Sequence, residues 1–499
     1  MKFAYRLGKS IIFVLIASMF LILIAGCDSK TSGDTKTGET NAPDKAEVDE
    51  TAKVAKQYVA DYLPDMKFDG YEFRIVSPNG GIFVDYLEFW ADAEEENGDV
   101  LNDALYKRNR IIEERYDIKI KQIGVDDWPQ LLPLFKKSVA GGTDDFDLCM
   151  LISREAWSTG LTGAIMAMSN LPYQDLTQPW YVKYVNDQLS INGKYYFAYS
   201  DECLNMLFQT VCVMFNKKIA ADLEIENLYQ LVKDGKWTLD KFFDIARTAT
   251  KDLDGDGKMT QNDRYGIMSR TTLPYACYWM SSGLKTVGKD ENDLLVFTGL
   301  NEKVIDVLSK AYQNLFGGSP IAFGFAWGDD DARHAMFAND QGLFHADIVG
   351  DIVILRAMET DFGIIPFPKY DEKQEKYYSR IIDGWINCVP NTAPNVERTS
   401  IIMEALAVES KNYTMPAYFE TTLRTKHARD NESQDMIALV AETRTLDLAT
   451  FLDSIINTYD NVFLAKKGDN FVSAIEKNLP TIEKALNKAN EAALALELD

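Results

Sequence analysis

The sequence predicts an α/β protein of two lobes or domains, and two observations carry that prediction: strands and helices alternate between residues 70 and 152, and the chain is 499 residues long. Strand, helix, strand, helix, strand is the order of a largely parallel sheet covered by helices. A chain of this length exceeds the ~250–300 residues at which one core stops growing. With 46% hydrophobic and 12% aromatic residues it can fill more than one.

Tyr71, Phe73 and Ile75 alternate with polar residues and run into Ser77-Pro78-Asn79-Gly80-Gly81, a strand ending in a loop. A helix is expected from about Asp99, because Leu101, Ala104, Leu105, Ile111 and Ile112 keep one apolar stripe. Ile118 and Ile120 then alternate as a second strand. Trp128 to Val139 reads as a helix interrupted at Pro133, and Phe146 to Ile152 as a buried strand. Since open α/β sheets bind ligands at the carboxyl ends of strands, the loop Ser153 to Trp157 is a candidate site. Val211 to Phe215 is a further apolar strand, and Thr238 caps a helix buried through Leu239, Phe242, Phe243, Ala246 and Ala249. Phe362 to Pro368 reads as a strand ended by prolines, and helices are expected at Thr399 to Val408 and Thr481 to Leu496.

The amino terminus sets the compartment. Lys2, Arg6 and Lys9 precede an apolar run from Ile11 to Ile24, the layout of a signal peptide. It ends in Ile24-Ala25-Gly26-Cys27, which resembles the lipobox of bacterial lipoproteins. That resemblance implies removal of residues 1–26, a diacylglyceryl thioether on Cys27, and a membrane-tethered chain on the extracellular side. The run is shorter than the ~20 residues a membrane span prefers. Residues 28–50 are Ser, Thr, Gly, Lys, Asp and Glu with almost nothing to bury, so 27–50 is expected to be a flexible tether. Five further cysteines are an odd number and lie partly in apolar runs, so no disulfide framework is expected.

The segments Leu101-Asn102-Asp103-Ala104 with Arg108-Asn109, Phe146-Asp147-Leu148, Gly193-Lys194-Tyr195, Phe215-Asn216-Lys217, Gly235-Lys236-Trp237-Thr238 to Tyr265-Gly266, and Phe362 to Pro368 follow the lipobox in order. Together they resemble the extracellular solute-binding protein family 1, the sugar-binding receptor subunits of ABC importers. The resemblance implies a bilobal periplasmic-binding-protein type II (Venus flytrap) fold. Chain crossings would lie near residues 199–213 and 360–370, with lobe 1 at 70–200 plus 370–415 and lobe 2 at 201–369 plus 416–499. It further implies an oligosaccharide ligand, partner permease subunits in the membrane, and a monomer.

A sugar site should join aromatic planes to hydrogen-bonding side chains. Arg154 and Trp157 follow the buried strand where the family places sugar contacts, and Asp201 precedes the first crossing. Tyr275 and Trp279, with Tyr278, resemble the aromatic subsite cluster of maltose-binding members, although aromatics at helical spacing also suit a core. Trp327, His345 and Asp347 lie on the approach to the second crossing, and Trp385 stands where a small or polar residue is more usual. Separately, Asp252, Asp254, Asp256, Lys258 through its carbonyl, and Asp263 occupy positions 1, 3, 5, 7 and 12 of an EF-hand-like loop with Gly257 at position 6. A structural Ca²⁺ is expected there, with Asp263 in place of the usual bidentate Glu.

A net charge of −24 excludes a general nucleic-acid binder, since phosphate backbones require clustered cations. There is no nucleophile elbow, His-Glu-x-x-His pair or phosphate-binding glycine loop, and the histidines are His334, His345 and His427. The expectation is a non-enzyme. The competing readings are a carrier of peptides or other small solutes and a surface glycosidase, whose two carboxylates a sequence with 76 acids could supply.

Overall fold

The structure is a computed structural model that describes residues 57–79, 91–271, 275–318, 320–326, 328–355, 357–423 and 431–496. The signal segment, Cys27, the tether, Trp327 and His427 lie outside the described residues. Residues 57–499 form one compact unit. No helix among the described residues is long and apolar enough to cross a membrane.

The strands are β1 (Tyr71–Pro78), β2 (Ile118–Val125), β3 (Leu148–Ile152), β4 (Val211–Asn216), β5 (Tyr265–Arg270), β6 (Val287–Lys289), β7 (Leu295–Phe297), β8 (Ala322–Phe325), β9 (Gly342–Ile348), β10 (Phe362–Ile365), β11 (Ser379–Arg380), β12 (Trp385–Cys388) and β13 (Arg444–Thr445). A first sheet has the order β12-β3-β1-β2 and a second the order β10-β4-β9-β5-β8. β1 runs parallel to β2 and β3, while β12 returns antiparallel on the edge. In the second sheet β5 is parallel to β8 and β9, and β4 is antiparallel to β9 and β10. The chain thus leaves the first sheet before β4 and comes back to it after β10.

Local chemistry explains the elements. Asp99 caps the helix Val100–Tyr116 by accepting from Leu101 N and Asn102 N at 3.0 and 2.9 Å. Thr238 caps Leu239–Ala249 as its position predicts, accepting from Lys241 N. Pro133 does not interrupt a helix. Trp128–Gln130 is a separate 3₁₀ turn and Pro133 falls in the first turn of Leu131–Gly141, where no backbone N–H is needed. The final helix runs through Pro480 and spans Phe471–Ala495, because Phe471, Ile475, Ile482 and Leu486 bury one continuous face. One core packs around the second sheet and the adjoining face of the first; another lies between β1, β2 and the helix Val396–Glu409.

Candidate functional site

Parallel strands end on one side of a sheet, so each sheet presents a rim of strand carboxyl ends, where ligands of open α/β sheets bind. The first rim gathers three segments. Trp128 follows β2, Ser153 and Arg154 follow β3, and Asp383-Gly384-Trp385 opens β12, whose Trp385 pairs with Ile152. Ser153 donates its hydroxyl to Asp383 and its N–H to Gly384 O at 2.8 Å. Arg154 Nε lies 2.9 Å from Asp383 Oδ2, with 55% of its side chain exposed. Burial raises the Asp383 carboxyl while Arg154 pulls it back. A Cβ at Gly384 would fall 2.9 Å from Tyr199 Cε1, so any larger residue there must displace that buried ring. Half-buried Trp128 meets Trp385 edge-on, with centroids 5.5 Å apart at 88°.

The second rim is ionic. Arg270 ends β5, Asp330, Arg333 and His334 share one face of the helix Asp330–Ala338 after β8, and Asp351 follows β9. Arg333 is fully buried and pairs with Asp347, with Asp351 Oδ2 at 2.6 Å and with Asp330 Oδ1 at 2.8 Å. Asp351 Oδ2 also takes His345 Nε2 at 2.7 Å and lies 3.1 Å from His334 Nε2. Arg270 Nε lies 3.2 Å from Asp330 and 3.7 Å from Asp347. A cavity of about 110 Å³ opens on this network, lined by Phe208, Arg270, Asp331, His334, Ile348 and Asp351 among others.

Burial pulls the His345 imidazole down to about 4, so the ring is neutral at neutral pH. Burial, then the charge of Asp351, pushes the Asp347 carboxyl up to about 6 against the guanidiniums of Arg333 and Arg270. Burial also opposes ionisation of Asp351, but hydrogen bonds from His334 and His345 and the charge of Arg333 hold it well below the usual range. Donor atoms of His334, His345 and Asp351 lie within 4.8 Å of one another, as metal ligands would. Arg333 Nη1 already occupies that space, 2.6 Å from Asp351 and 3.2 Å from His345 Nε2, so the set fits an ion-pair network better than a cation.

The short helix Leu204–Phe208 joins the rims. At one end Asn205 clamps Trp385, donating to its carbonyl at 3.0 Å and accepting its N–H at 2.6 Å. At the other, Phe208 O accepts from Gly350 N at 3.0 Å and its ring lines the cavity.

The structure therefore brings Arg154 and Trp385 to one rim and His345 and Asp347 to the other. Trp157, on the helix after β3, is buried behind the first rim, 6.3 Å from Phe451. Asp201 is buried and paired with Lys411 at 2.9 Å. Tyr275 and Trp279 lie in the core: Tyr275 stacks on Phe463 at 4.1 Å, and Trp279 donates to Asp447 at 3.0 Å. Trp279 is fully enclosed, whereas Tyr275, though buried, lines a cavity of about 80 Å³ with Ser269, Thr271 and Tyr278. Sequence reasoning missed Trp128, Asn205, Arg270, Arg333 and Asp351. One signal existed: His345 and Asp347 sit two apart on an otherwise apolar strand, and a buried polar face needs partners.

The acidic loop lies apart from both rims. It is closed at its base by mutual backbone bonds between Lys251 and Arg264 at 2.9 and 3.0 Å. Carboxylate oxygens of Asp252, Asp254 and Asp256 converge within 4.8 Å, which suits a hard oxygen-ligated cation. Lys258 N donates to Asp256 at 2.7 Å. Asp263 is not in that group; its oxygens accept from Leu253 N at 2.9 Å and Thr260 N at 2.6 Å.

No protein-family model matches the chain, and no curated protein matches it in sequence. Solved structures do match. A cyclo/maltodextrin-binding protein complexed with maltotetraose superposes with a TM-score of 0.54 at 14% identity, over 85% of this chain and 97% of that one. The chain has the same bilobal α/β fold. The GacH receptor of Streptomyces glaucescens, solved unliganded and with acarbose, gives 0.53 at 12% identity over 84% of this chain and 99% of its own. UgpB from Mycobacterium tuberculosis in complex with glycerophosphocholine gives 0.53 at 15% identity, over 77% and 95%. The two sheets of this chain fall within that shared architecture. At such identities the likeness fixes architecture and leaves ligand chemistry to the residues.

Proposed function

We propose that the chain is a non-enzymatic, lipid-anchored solute-binding receptor on the extracellular face of the membrane, binding an oligosaccharide between its lobes and delivering it to an ABC permease. The observation that carries the reading is the pair of rims joined by Leu204–Phe208 in a fold whose matched structures include maltotetraose and acarbose complexes. Trp128 offers a ring face, Arg154 an exposed cation, and the 110 Å³ cavity a ring of carboxylates and imidazole for hydroxyl groups. Lobe 1 at 70–200 plus 370–415 would close on lobe 2 at 201–369 plus 416–499, and contacts to both favour the closed state. The protein acts as a monomer, and transport energy comes from the importer's ATPases. A structural Ca²⁺ held by Asp252, Asp254, Asp256 and the Lys258 carbonyl would stiffen the loop before β5.

The second reading, a charged small solute, draws on the ionic second rim and on the glycerophosphocholine complex of the same fold. A thermal-shift screen against neutral oligosaccharides, peptides and phosphodiesters decides. A ligand at a hundred times its Kd adds about 2.7 kcal/mol. A neutral glycan that raises the midpoint and is recovered intact supports the receptor; a shift by a peptide or phosphodiester alone overturns the carbohydrate assignment.

A further inference from the structure

Asp330, Asp331 and Asp351 line the cavity of about 110 Å³ at the second rim together with Arg270, His334 and Phe208. Counted with Asp347, four carboxylates stand there against the two guanidiniums of Arg270 and Arg333, and the His345 ring is neutral. Both guanidiniums are engaged: each pairs with Asp330 and Asp347, and Arg333 with Asp351 as well. Asp331 is exposed at the start of the helix Asp330–Ala338 and enters no ion pair among the described residues. Asp351 is 1% exposed and is held ionised. Its Oδ2 meets Arg333 and His345, while its Oδ1 is buried with no hydrogen-bond partner among the described residues. A buried carboxylate oxygen needs a donor, and the excess of negative charge favours a cationic one.

We propose that this cavity takes the protonated primary amine of an amino sugar, so that the oligosaccharide held between the rims is one that bears amino groups. The inference rests on the receptor reading above and names its ligand class. At about 110 Å³ the cavity is well below the ~300 Å³ from which small-molecule pockets start, so it admits one substituent of a ligand and not a whole sugar. An ammonium brings three donors and no acceptor. It donates to Asp351 Oδ1 and faces the Asp331 carboxylate, and the Phe208 ring in the cavity wall attracts the same charge. A sugar hydroxyl can make the bond to Asp351 but leaves the charge excess standing. An anion fares worse, because it must displace a carboxylate from one of the two guanidiniums before it finds a partner.

The full chain is titrated by calorimetry with three tetramers of one linkage: glucosamine, with an ammonium on every ring, N-acetylglucosamine, whose amides are neutral, and glucose, with hydroxyls in their place. A lysine-containing tetrapeptide supplies the same ammonium without a sugar. Physiological salt screens the general attraction of a chain with net charge −24 for any cation. The glucosamine tetramer should bind about tenfold tighter than either neutral tetramer and be recovered intact. Within each variant the ratio of the affinities for the glucosamine and glucose tetramers is the readout: it should fall to about threefold in Asp331→Asn and to about one in Asp351→Asn. Asp331 is exposed, so its variant decides alone if Asp351→Asn does not melt cooperatively. Equal or tighter binding of a neutral tetramer, or a tenfold preference that survives in Asp331→Asn, overturns the amine site and leaves the receptor reading standing. Binding of the peptide with no tetramer bound, or of none of the four, overturns both.

Discussion

At the first rim Asp383 is held by a hydroxyl, a backbone N–H and one largely exposed guanidinium, whereas at the second rim Asp351 is closed in by a buried guanidinium and two imidazoles. The first arrangement is mostly backbone: β12 returns antiparallel to β3, and the register alone sets Trp385 beside Ile152. The second is built from side chains of four segments and bears the cost of desolvating charges, offset by their mutual pairing. The difference teaches where each lobe tolerates change. A rim made of backbone accepts new side chains on its outside; a rim made of buried ions fails when one partner is removed.

The largest effect should follow from breaking the ionic rim. Arg333→Met leaves Asp351 buried without its guanidinium and Asp347 with Arg270 alone, and should cost ~3–5 kcal/mol in urea unfolding. The matching change at the first rim, Arg154→Ala, removes a largely exposed partner and should cost less than ~1 kcal/mol. Equal losses would erase the contrast.

Acidity separates two members of the second rim by sign. His345 is lowered from 6.5 to about 4, so the folded state binds its proton less readily than the unfolded chain. Its contribution is present above pH ~6.5 and lost as pH falls toward 4. Asp347 is raised from 3.8 to about 6, so its contribution is present below pH ~3.8 and lost as pH rises through 6. The stability lead of wild type over His345→Gln should therefore grow from pH 4 to 6.5, and its lead over Asp347→Asn should shrink. Chemical denaturation of the three proteins at several pH values reads both slopes; slopes of the same sign would contradict the burial argument.

A smaller loss is expected at the connection. Asn205→Ala strands the buried N–H and C=O of Trp385 and should cost ~1–3 kcal/mol, with the indole fluorescence shifted because Trp385 is no longer clamped. Smallest is the acidic loop, which serves neither rim. With a Kd of ~0.1 mM, typical of extracellular modules, 1 mM Ca²⁺ adds about 1.4 kcal/mol. That gain should vanish in Asp254→Asn. An unchanged midpoint on adding Ca²⁺ to chelator-treated protein would show the loop to be an acidic turn closed by its own backbone.

Alternation made β1 and β2 legible, continuous apolar runs β3 and β4, and the cap at Thr238 the helix that follows it, because all three signals are local. The direction of β4, antiparallel to both neighbours, was not legible, since it depends on which strands meet it from over a hundred residues away. The candidate site divides the same way. Arg154 could be placed from the rule about strand ends, and His345 and Asp347 from their position on the approach to the expected second crossing. Arg333 and Asp351 could not, because a charged residue on a helix looks solvated until its burial is known. Trp279 shows the converse: an aromatic run is compatible with a ligand platform or a core, and only its full burial and its hydrogen bond to Asp447 place that ring in the core.

The claim that the two rims act on one ligand is tested most directly by titrating a neutral glycan found in the thermal screen into wild type, Arg154→Ala and Asp331→Asn by calorimetry. Both altered side chains are exposed, one on each rim. The account predicts that each change weakens binding about tenfold, close to 1.4 kcal/mol, and that the glycan is recovered uncleaved. Binding that is indifferent to either rim, or a glycan returned hydrolysed, would contradict it.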